Sequence, residues 1–462
     1  MKLKKLFFMA FVLISPFATA QEVSIEGIWK GELKVMAQKL PLIFHFEPIE
    51  DGWKGSMDSP AQGAKDIPLS KMVYHAPKME LEIDQYTISY EGELINDTIQ
   101  GTFIQGGVEF PLNLVRMKEN EEAFAPKPQE PRPPFDYDII ETSFTNLKAG
   151  ITLKGTITKP KGMGPFPAVV LVSGSGKQNK NAEIFGHKPF WVIADYLTRN
   201  GIVVLRYDER GAGHSGGVFE TATSFDFKND ATVALQHLKK YPFVNQLKSG
   251  VIGHSEGGMI AWMMAAEEKG VGFIISLAGP VVPIPELMMQ QTQDVLKSSG
   301  ASAELIEEQG NINKIIYEVF KETDDYRQLK KNLSTAVENY WRDQHETDSV
   351  NEVELQHLEK AYGQMVTPWF YSFLKFDPKP YILQTSIPAL AVFGGKDVQV
   401  NGEINYAALE ALKKVNIDMK LYPMLNHLFQ KAESGAISEY ANLQETFNEE
   451  VMKDLVAWIE SL

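Results

Sequence analysis

Gly253-His254-Ser255-Glu256-Gly257-Gly258 is the stretch on which the reading of this chain turns. It is a G-x-S-x-G run between a short apolar strand-like segment, residues 250–252, and an Ala- and Met-rich helical one, residues 259–269. In a strand–turn–helix setting such a serine sits on a tight elbow, and its Oγ stands clear of the sheet. The flanking glycines relieve a crowded elbow backbone. The helix behind it turns free N–H groups and the positive end of its dipole toward the hydroxyl. Ser255 is therefore the candidate nucleophile, and the backbone N–H of Glu256 a candidate oxyanion donor.

Outward from the elbow, strand-like and helical runs alternate. Residues 139–144 and 151–158 are expected to form an antiparallel hairpin. Residues 168–172, 202–207 and 273–277 read as further strands, and 190–200 and 225–241 as helices. Such alternation predicts an α/β fold with a mostly parallel sheet covered by helices on both faces. The rhythm breaks at about 285–383, a stretch helical throughout and rich in Glu, Lys, Gln and Leu, expected to be a helical cap insertion over the site. It resumes with strands at 389–393 and 419–422 and a last helix near 445–462.

A serine on such an elbow needs an acid and then a histidine later in the chain. Asp397, in Gly394-Gly395-Lys396-Asp397-Val398, lies just past the strand 389–393, where open α/β sheets place functional groups. His427, in Asn426-His427-Leu428-Phe429, is the sole histidine after it and the candidate general base. A second oxyanion donor is expected from the glycine-bearing loop Ser173-Gly174-Ser175-Gly176-Lys177-Gln178-Asn179, with the N–H of Ser175 favoured. Gly174 and Trp369, the latter in Thr367-Pro368-Trp369-Phe370-Tyr371, are candidate substrate contacts, with cap–core packing the alternative for Trp369. Arg206, Asp208, Arg210 and His214 read as a charged group whose members pair with one another and brace the oxyanion loop. His187 and Trp191 read as packing residues. No H-x-H or H-E-x-x-H spacing and no phosphate loop ending in G-K-[ST] is present, so no metal and no cofactor is expected.

Taken in order, Val172-Ser173-Gly174-Ser175-Gly176, Arg206-Tyr207-Asp208-Glu209-Arg210-Gly211-Ala212-Gly213-His214-Ser215, the GHSEGG elbow and the GGKDVQV acid loop resemble the EstD-like serine esterases. These are α/β-hydrolases near the serine aminopeptidase-like and dienelactone hydrolase-like branches. The resemblance covers about residues 136–462. It implies carboxylic ester hydrolysis on Ser255, Asp397 and His427. Many members of the group carry an extra N-terminal β module. The chain departs from the pattern at Lys177, where proline is usual, and at Asn179-Lys180-Asn181.

Before the hydrolase-like region, residues 22–117 read as a small all-β domain, barrel-like or a curved sheet. Strands are expected at 28–33, 42–46, 79–83, 87–94, 98–103 and 112–115, with turns at Asp51-Gly52, Asn96-Asp97 and Gly106-Gly107. Residues 118–134, charged and then proline-rich, read as a linker. Lys2, Lys4 and Lys5, an apolar run over 6–14 and Ala18-Thr19-Ala20 have the form of a cleavable signal peptide over residues 1–20, with a mature start near Gln21 and a periplasmic or secreted destination.

Of 462 residues 44% are apolar and 23% charged, the balance of a globular protein with a large core. The formal charge of −15 argues against nucleic acid or an anionic membrane surface as partner. With no cysteine, disulfides, thiolate metal sites and a cysteine nucleophile are excluded. The expected partner is a small-molecule ester, with no membrane span after signal removal. Two rival readings stand beside the esterase. One is a serine peptidase of aminopeptidase type, for which cap acids such as Glu307, Glu308, Asp324 and Asp325 would hold the substrate amine. The other is a catalytically idle binding protein.

Overall fold

The structure, a computed structural model, describes residues 24–35, 38–60, 64–105, 108–118, 124, 126–345 and 362–462. The signal-like segment and the Gly106-Gly107 turn lie outside them. The chain divides into two compact units, residues 1–123 and 124–462.

The first unit is all-β. Its strands are β1 (Gly27–Val35), β2 (Gln38–Ile49), β3 (Gly52–Ser59), β4 (Ala64–Pro68), β5 (Lys71–His75), β6 (Lys78–Ile83), β7 (Ile88–Ile95), β8 (Thr98–Gln105) and β9 (Val108–Arg116). They form one antiparallel sheet in the order β4-β3-β2-β1-β9-β8-β7-β6-β5. Alternation sets the faces: in β6 Met79, Leu81 and Ile83 point inward while Lys78 and Glu80 stay exposed. Trp29, Phe44, Phe46, Tyr90 and Phe103 fill the interior. Between the edge strands, Leu69 N–H donates to Gly55 O and Ser70 N–H to Glu82 O, so this crossing ties β3 to β6 and curls the sheet.

The second unit is a sheet of eight strands: β10 (Tyr137–Asn146), β11 (Ile151–Pro160), β12 (Phe166–Val172), β13 (Val203–Tyr207), β14 (Val244–His254), β15 (Phe273–Leu277), β16 (Ala389–Gly394) and β17 (Ile417–Tyr422). The order is β10-β11-β13-β12-β14-β15-β16-β17. β10 and β11 form the expected hairpin, β11 meets β13 antiparallel, and every later pairing is parallel. The central parallel strands β12, β15 and β16 read as largely apolar runs because both of their faces are covered. On one face α1 (Pro189–Arg199) brings Phe190, Ile193 and Leu197 into a shared core. On the other, α2 (Ser224–Leu238) and α3 (Glu256–Glu267) bring Phe227, Leu235 and Trp262. Each such fully buried side chain contributes about 1.5–3 kcal/mol.

Between β15 and β16 lie the described helices α4 (Ile284–Ser298), α5 (Ala303–Glu322), α6 (Tyr326–His345), α7 (Pro368–Leu374) and α8 (Lys379–Gln384). Their apolar faces join the α2–α3 core through Leu287, Ile316, Phe320, Leu333 and Phe373. α9 (Gly402–Glu410) and α10 (Glu449–Ser461) complete the layers, with Leu409 packing on the α3 side and Leu455 and Ile459 on the α1 side. Among the described residues, no helix is long and apolar enough to cross a membrane.

One stretch departs from its reading as linker. Lys127 and Glu130 are buried. Lys127 Nζ donates to the carbonyls of Ala441 and Leu443, both at 2.8 Å. Gln129 Nε2 donates to Phe447 O at 2.8 Å, and Glu130 pairs with Lys188 at 3.1 Å. A charged, proline-rich composition suggests a solvated spacer. Here the charged groups are spent on backbone carbonyls and a buried ion pair, so this part is a strap on the second unit.

Candidate active site

The elbow is built by the end of β14. Gly253 registers against Val172 of β12 and Ser276 of β15, and Ser255 N–H donates to Leu277 O at 2.8 Å. The chain then reverses into α3, with Ser255 at φ 56° and ψ −119°. That is a costly conformation for a side-chain-bearing residue, of the kind that persists at functional sites. Sterics dictate the glycines: a Cβ on Gly253 would lie 1.9 Å from Gly257 O, and one on Gly257 2.1 Å from Val172 O. Glu256 opens α3, so its N–H has no carbonyl four residues back within the helix.

Asp397 and His427 come from neighbouring strands, β16 and β17. Beyond β16, Asp397 Oδ1 accepts from the N–H groups of Gln399 and Val400, both at 2.8 Å. Its Oδ2 faces His427 Nδ1 at 2.7 Å, with both side chains buried. The turn that carries His427 is held by Asn426, whose Oδ1 accepts from Leu428 N–H at 3.0 Å and Gln430 N–H at 2.9 Å. His254, inside the elbow, supplies a support that the sequence reading missed. Its Nε2 lies 2.7 Å from His427 O, and a carbonyl only accepts, so Nε2 carries the proton. Burial, with the His427 ring adding to it, pushes His254 down to about 3, and the ring stays neutral.

The loop after β12 approaches the serine. A Cβ on Gly174 would stand 2.9 Å from Ser255 Cβ and 3.5 Å from its Oγ. Gly174, Ser175, Ser255, Glu256, Trp369 and His427 line one cavity of about 210 Å³. Its remaining walls include Ile184, Leu287, Met288, Phe373, Gln178, Gln291 and Gln399. Trp369 stands at the start of α7, where Thr367 Oγ1 caps the helix by accepting from Phe370 N–H. Its ring stacks on Phe373 at 4.9 Å, and its Nε1–H donates to Glu256 Oε1 at 2.9 Å. The same oxygen accepts from Ser224 Oγ at 2.6 Å, and the Ser175 side chain also bonds this carboxyl. Burial nevertheless pushes Glu256 above the usual carboxylate range. Glu307, Glu308, Asp324 and Asp325 are exposed, and none lines the cavity.

Residues 187–433, more than half of the chain, match the family model described as serine aminopeptidase, S33. The chain belongs to this family. The fold of this serine aminopeptidase family member is accordingly the α/β-hydrolase fold, with an all-β unit earlier in the chain. Esterase EstD of Thermotoga maritima is 29% identical over 308 residues, which are 66% of this chain and 65% of that protein. The match thus spans slightly less than two thirds of that relative's length. Solved structures with a similar course include an esterase of Pyrococcus furiosus and the proline iminopeptidase of Mycobacterium smegmatis. The first is 14% identical with TM-score 0.41, over 71% of this chain and 91% of that one. The second is 12% identical with TM-score 0.43, over 70% and 98%.

In this serine aminopeptidase family member the charged group at the end of β13 and just beyond it does not pair mainly within itself. Arg210 turns to Asp230, with Nε 2.7 Å from Oδ2, and Arg206 donates to Asn181 Oδ1. Asp208 accepts from the N–H groups of Lys180 at 2.7 Å and His214 at 3.0 Å. Within the group, His214 meets Asp208 through that N–H and, more loosely, through its ring Nδ1 at 3.7 Å. The partners are chosen by position: Asn181 and Lys180 belong to the segment after β12, so the group still braces that segment. Among the described residues, no cluster of three or more His, Asp or Glu is placed to hold a metal ion.

His187 is fully buried. Its Nδ1 lies 2.9 Å from Thr446 Oγ1 and its Nε2 2.8 Å from Tyr440 O, and burial pushes it down to about 4. The unfolded imidazole titrates near 6.5. As pH falls from about 6.5 to 4, the unfolded chain takes up a proton that the folded chain refuses. Stability is therefore lost across that window and levels off below it, by about 3 kcal/mol from this residue at ~1.4 kcal/mol per pKa unit. Thermal unfolding at pH 7, 5.5 and 4.5 measures the effect. His187→Gln, which still donates to Tyr440 O, is expected to flatten the decline, and an equally steep decline in that variant would contradict the assignment.

Proposed function

We propose that this chain is an exported serine esterase in which Ser255 is the nucleophile, His427 the general base and Asp397 the acid that orients it. The observation that carries the reading is the 2.7 Å contact of Asp397 Oδ2 with His427 Nδ1, in a ring that shares its cavity with a serine on a strained elbow. A proton on Nδ1, facing the carboxylate, leaves Nε2 free to accept. Ser255 Oγ attacks the ester carbonyl carbon while its proton passes to His427 Nε2. The tetrahedral oxyanion takes hydrogen bonds from the N–H groups of Glu256 and Ser175. Its collapse breaks the bond to the alkoxy oxygen, which leaves with the proton from His427. Water then repeats the sequence on the acyl-enzyme and frees the acid. The helices between β15 and β16 serve as the cap, with Trp369 and Phe373 as one wall and Gly174 beside the reacting carbonyl.

The lining favours a neutral, compact ester over an amino-terminal peptide. Among the described lining residues Glu256 is the one acid, and its Oε1 already accepts from Ser224 and Trp369. Burial raises that carboxyl above the usual range and the Ser175 side chain bonds it as well, which makes it a poor partner for a substrate ammonium. The Thermotoga maritima relative is named an esterase, which agrees, while the family takes its name from an aminopeptidase. The cavity is smaller than the ~300–1,000 Å³ that holds drug-sized ligands, so short acyl chains fit best. Export rests on the signal-like first twenty residues.

A panel of p-nitrophenyl esters against aminoacyl p-nitroanilides tests this. Acetate and butyrate esters are expected to give the highest kcat/KM, with octanoate at least tenfold lower and the anilides near background. An alanyl or prolyl anilide cleaved faster than any ester would overturn the ester assignment.

A further inference from the structure

Glu209 is a buried carboxyl just beyond β13 that the mechanism above does not use. Its two oxygens go to two points on one loop. Oε1 lies 2.7 Å from Ser173 Oγ, and Oε2 accepts from Gln178 N–H at 3.0 Å. Its own N–H donates to Gln178 O at 3.1 Å. Ser173 and Gln178 bracket Gly174-Ser175-Gly176-Lys177, the stretch that approaches Ser255 and carries the second oxyanion donor.

Two glycines make this stretch floppy by nature, and Gly176 adopts φ 95°. A loop so composed costs conformational entropy each time it aims an N–H at an oxyanion, unless it is held beforehand. We propose that Glu209 is a positioning residue that clamps both ends of the Ser173–Gln178 loop and so pre-forms the oxyanion site. The inference rests on the reading of Ser255 as nucleophile and Ser175 as donor. It explains why an acid is buried beside the site without facing substrate. The reacting carbonyl meets the loop's N–H groups, and the loop meets Glu209.

The test compares Glu209→Leu, Glu209→Gln and Ser173→Ala in the full chain. Leu keeps the volume and removes both acceptors. Gln keeps a carbonyl for Gln178 N–H and an N–H₂ for Ser173 Oγ. Ser173→Ala cuts one anchor only. Each is assayed for kcat and KM on p-nitrophenyl acetate and for Ki of an alkyl trifluoromethyl ketone. Ser255 Oγ adds to that ketone's carbonyl carbon, its proton passes to His427, and an oxyanion remains.

Loss of a single oxyanion donor costs about 10²–10³ in rate, and a loosened donor less. Glu209→Leu is therefore expected to lower kcat roughly ten- to a hundredfold with KM within twofold, and to raise Ki by the same factor. Ser173→Ala should fall between Leu and wild type, and Gln should recover at least half of the logarithmic loss. A role in folding alone would shrink the active fraction and leave Ki unchanged, and that result overturns the proposal. So does a Ser173→Ala enzyme with wild-type kcat and Ki, which keeps the test decisive should the Leu variant not fold. Ser255→Ala run in parallel separates the two failures. If it retains turnover, the nucleophile assignment itself falls. If it is inactive while Glu209→Leu keeps wild-type Ki, only the clamp falls.

Discussion

Ser255→Ala is expected to reduce p-nitrophenyl acetate turnover by roughly 10⁶-fold, the cost of removing the nucleophile from a serine triad whose members act as a unit. The residue that remains keeps the oxyanion donors and the cavity, so some acceleration over water survives. Stability should change little. Alanine adds no volume, the strained φ at this position is already present in the folded chain, and Ser255 N–H keeps its bond to Leu277 O. Spectrophotometric turnover, fluorophosphonate labelling and thermal unfolding read the three effects separately. Persistent labelling and turnover in the variant would remove Ser255 from the mechanism.

Asp397→Asn should lower kcat by about 10⁴-fold, and the local geometry explains why so small a change acts so strongly. Asp397 Oδ1 takes two backbone N–H groups, from Gln399 and Val400. An asparagine must keep its oxygen there, because an amide N–H₂ against two donors is the worse arrangement. Its N–H₂ is then left facing His427 Nδ1. The imidazole responds by carrying its proton on Nε2, where it cannot take one from Ser255. KM is expected to stay within a few-fold, since neither Asp397 oxygen lines the cavity. A loss below tenfold would mean that another group orients His427.

The order Ser255, Asp397, His427 could be read from the chain because each residue follows a strand of a parallel sheet, and that sheet collects the ends of its strands on one edge. What the order lacks is the second contact of each partner. Nothing in the sequence joins Asp397 Oδ1 to Gln399 and Val400, or His254 to His427 O. His254 is simply the variable position of the elbow motif. Glu209 was quoted within a motif and passed over for the same reason: its partners lie 31 and 36 residues upstream.

In the all-β unit, β3, β4 and β5 were missed. β3 reads Gly-Trp-Lys-Gly-Ser-Met-Asp-Ser, a composition poor in branched apolar residues that holds its place by pairing with β2. Cross-strand neighbours set such strands more than their own propensity does. Trp369 was weighed between packing and substrate contact. It packs, stacking on Phe373 and giving its N–H to Glu256, and it also lines the cavity, because an indole has an apolar face and one polar edge.

The strap formed by Lys127, Gln129 and Glu130 sets where the chain can be cut and rejoined. A shortened protein that starts at Phe135 would strip the hydrogen bonds from the carbonyls of Ala441, Leu443 and Phe447, along with the partner of Lys188. One that starts at Phe124 keeps them. Recombination with a different N-terminal module, in nature or at the bench, therefore has its natural seam upstream of Phe124, and the proline-rich segment travels with the hydrolase as heritable property of that half.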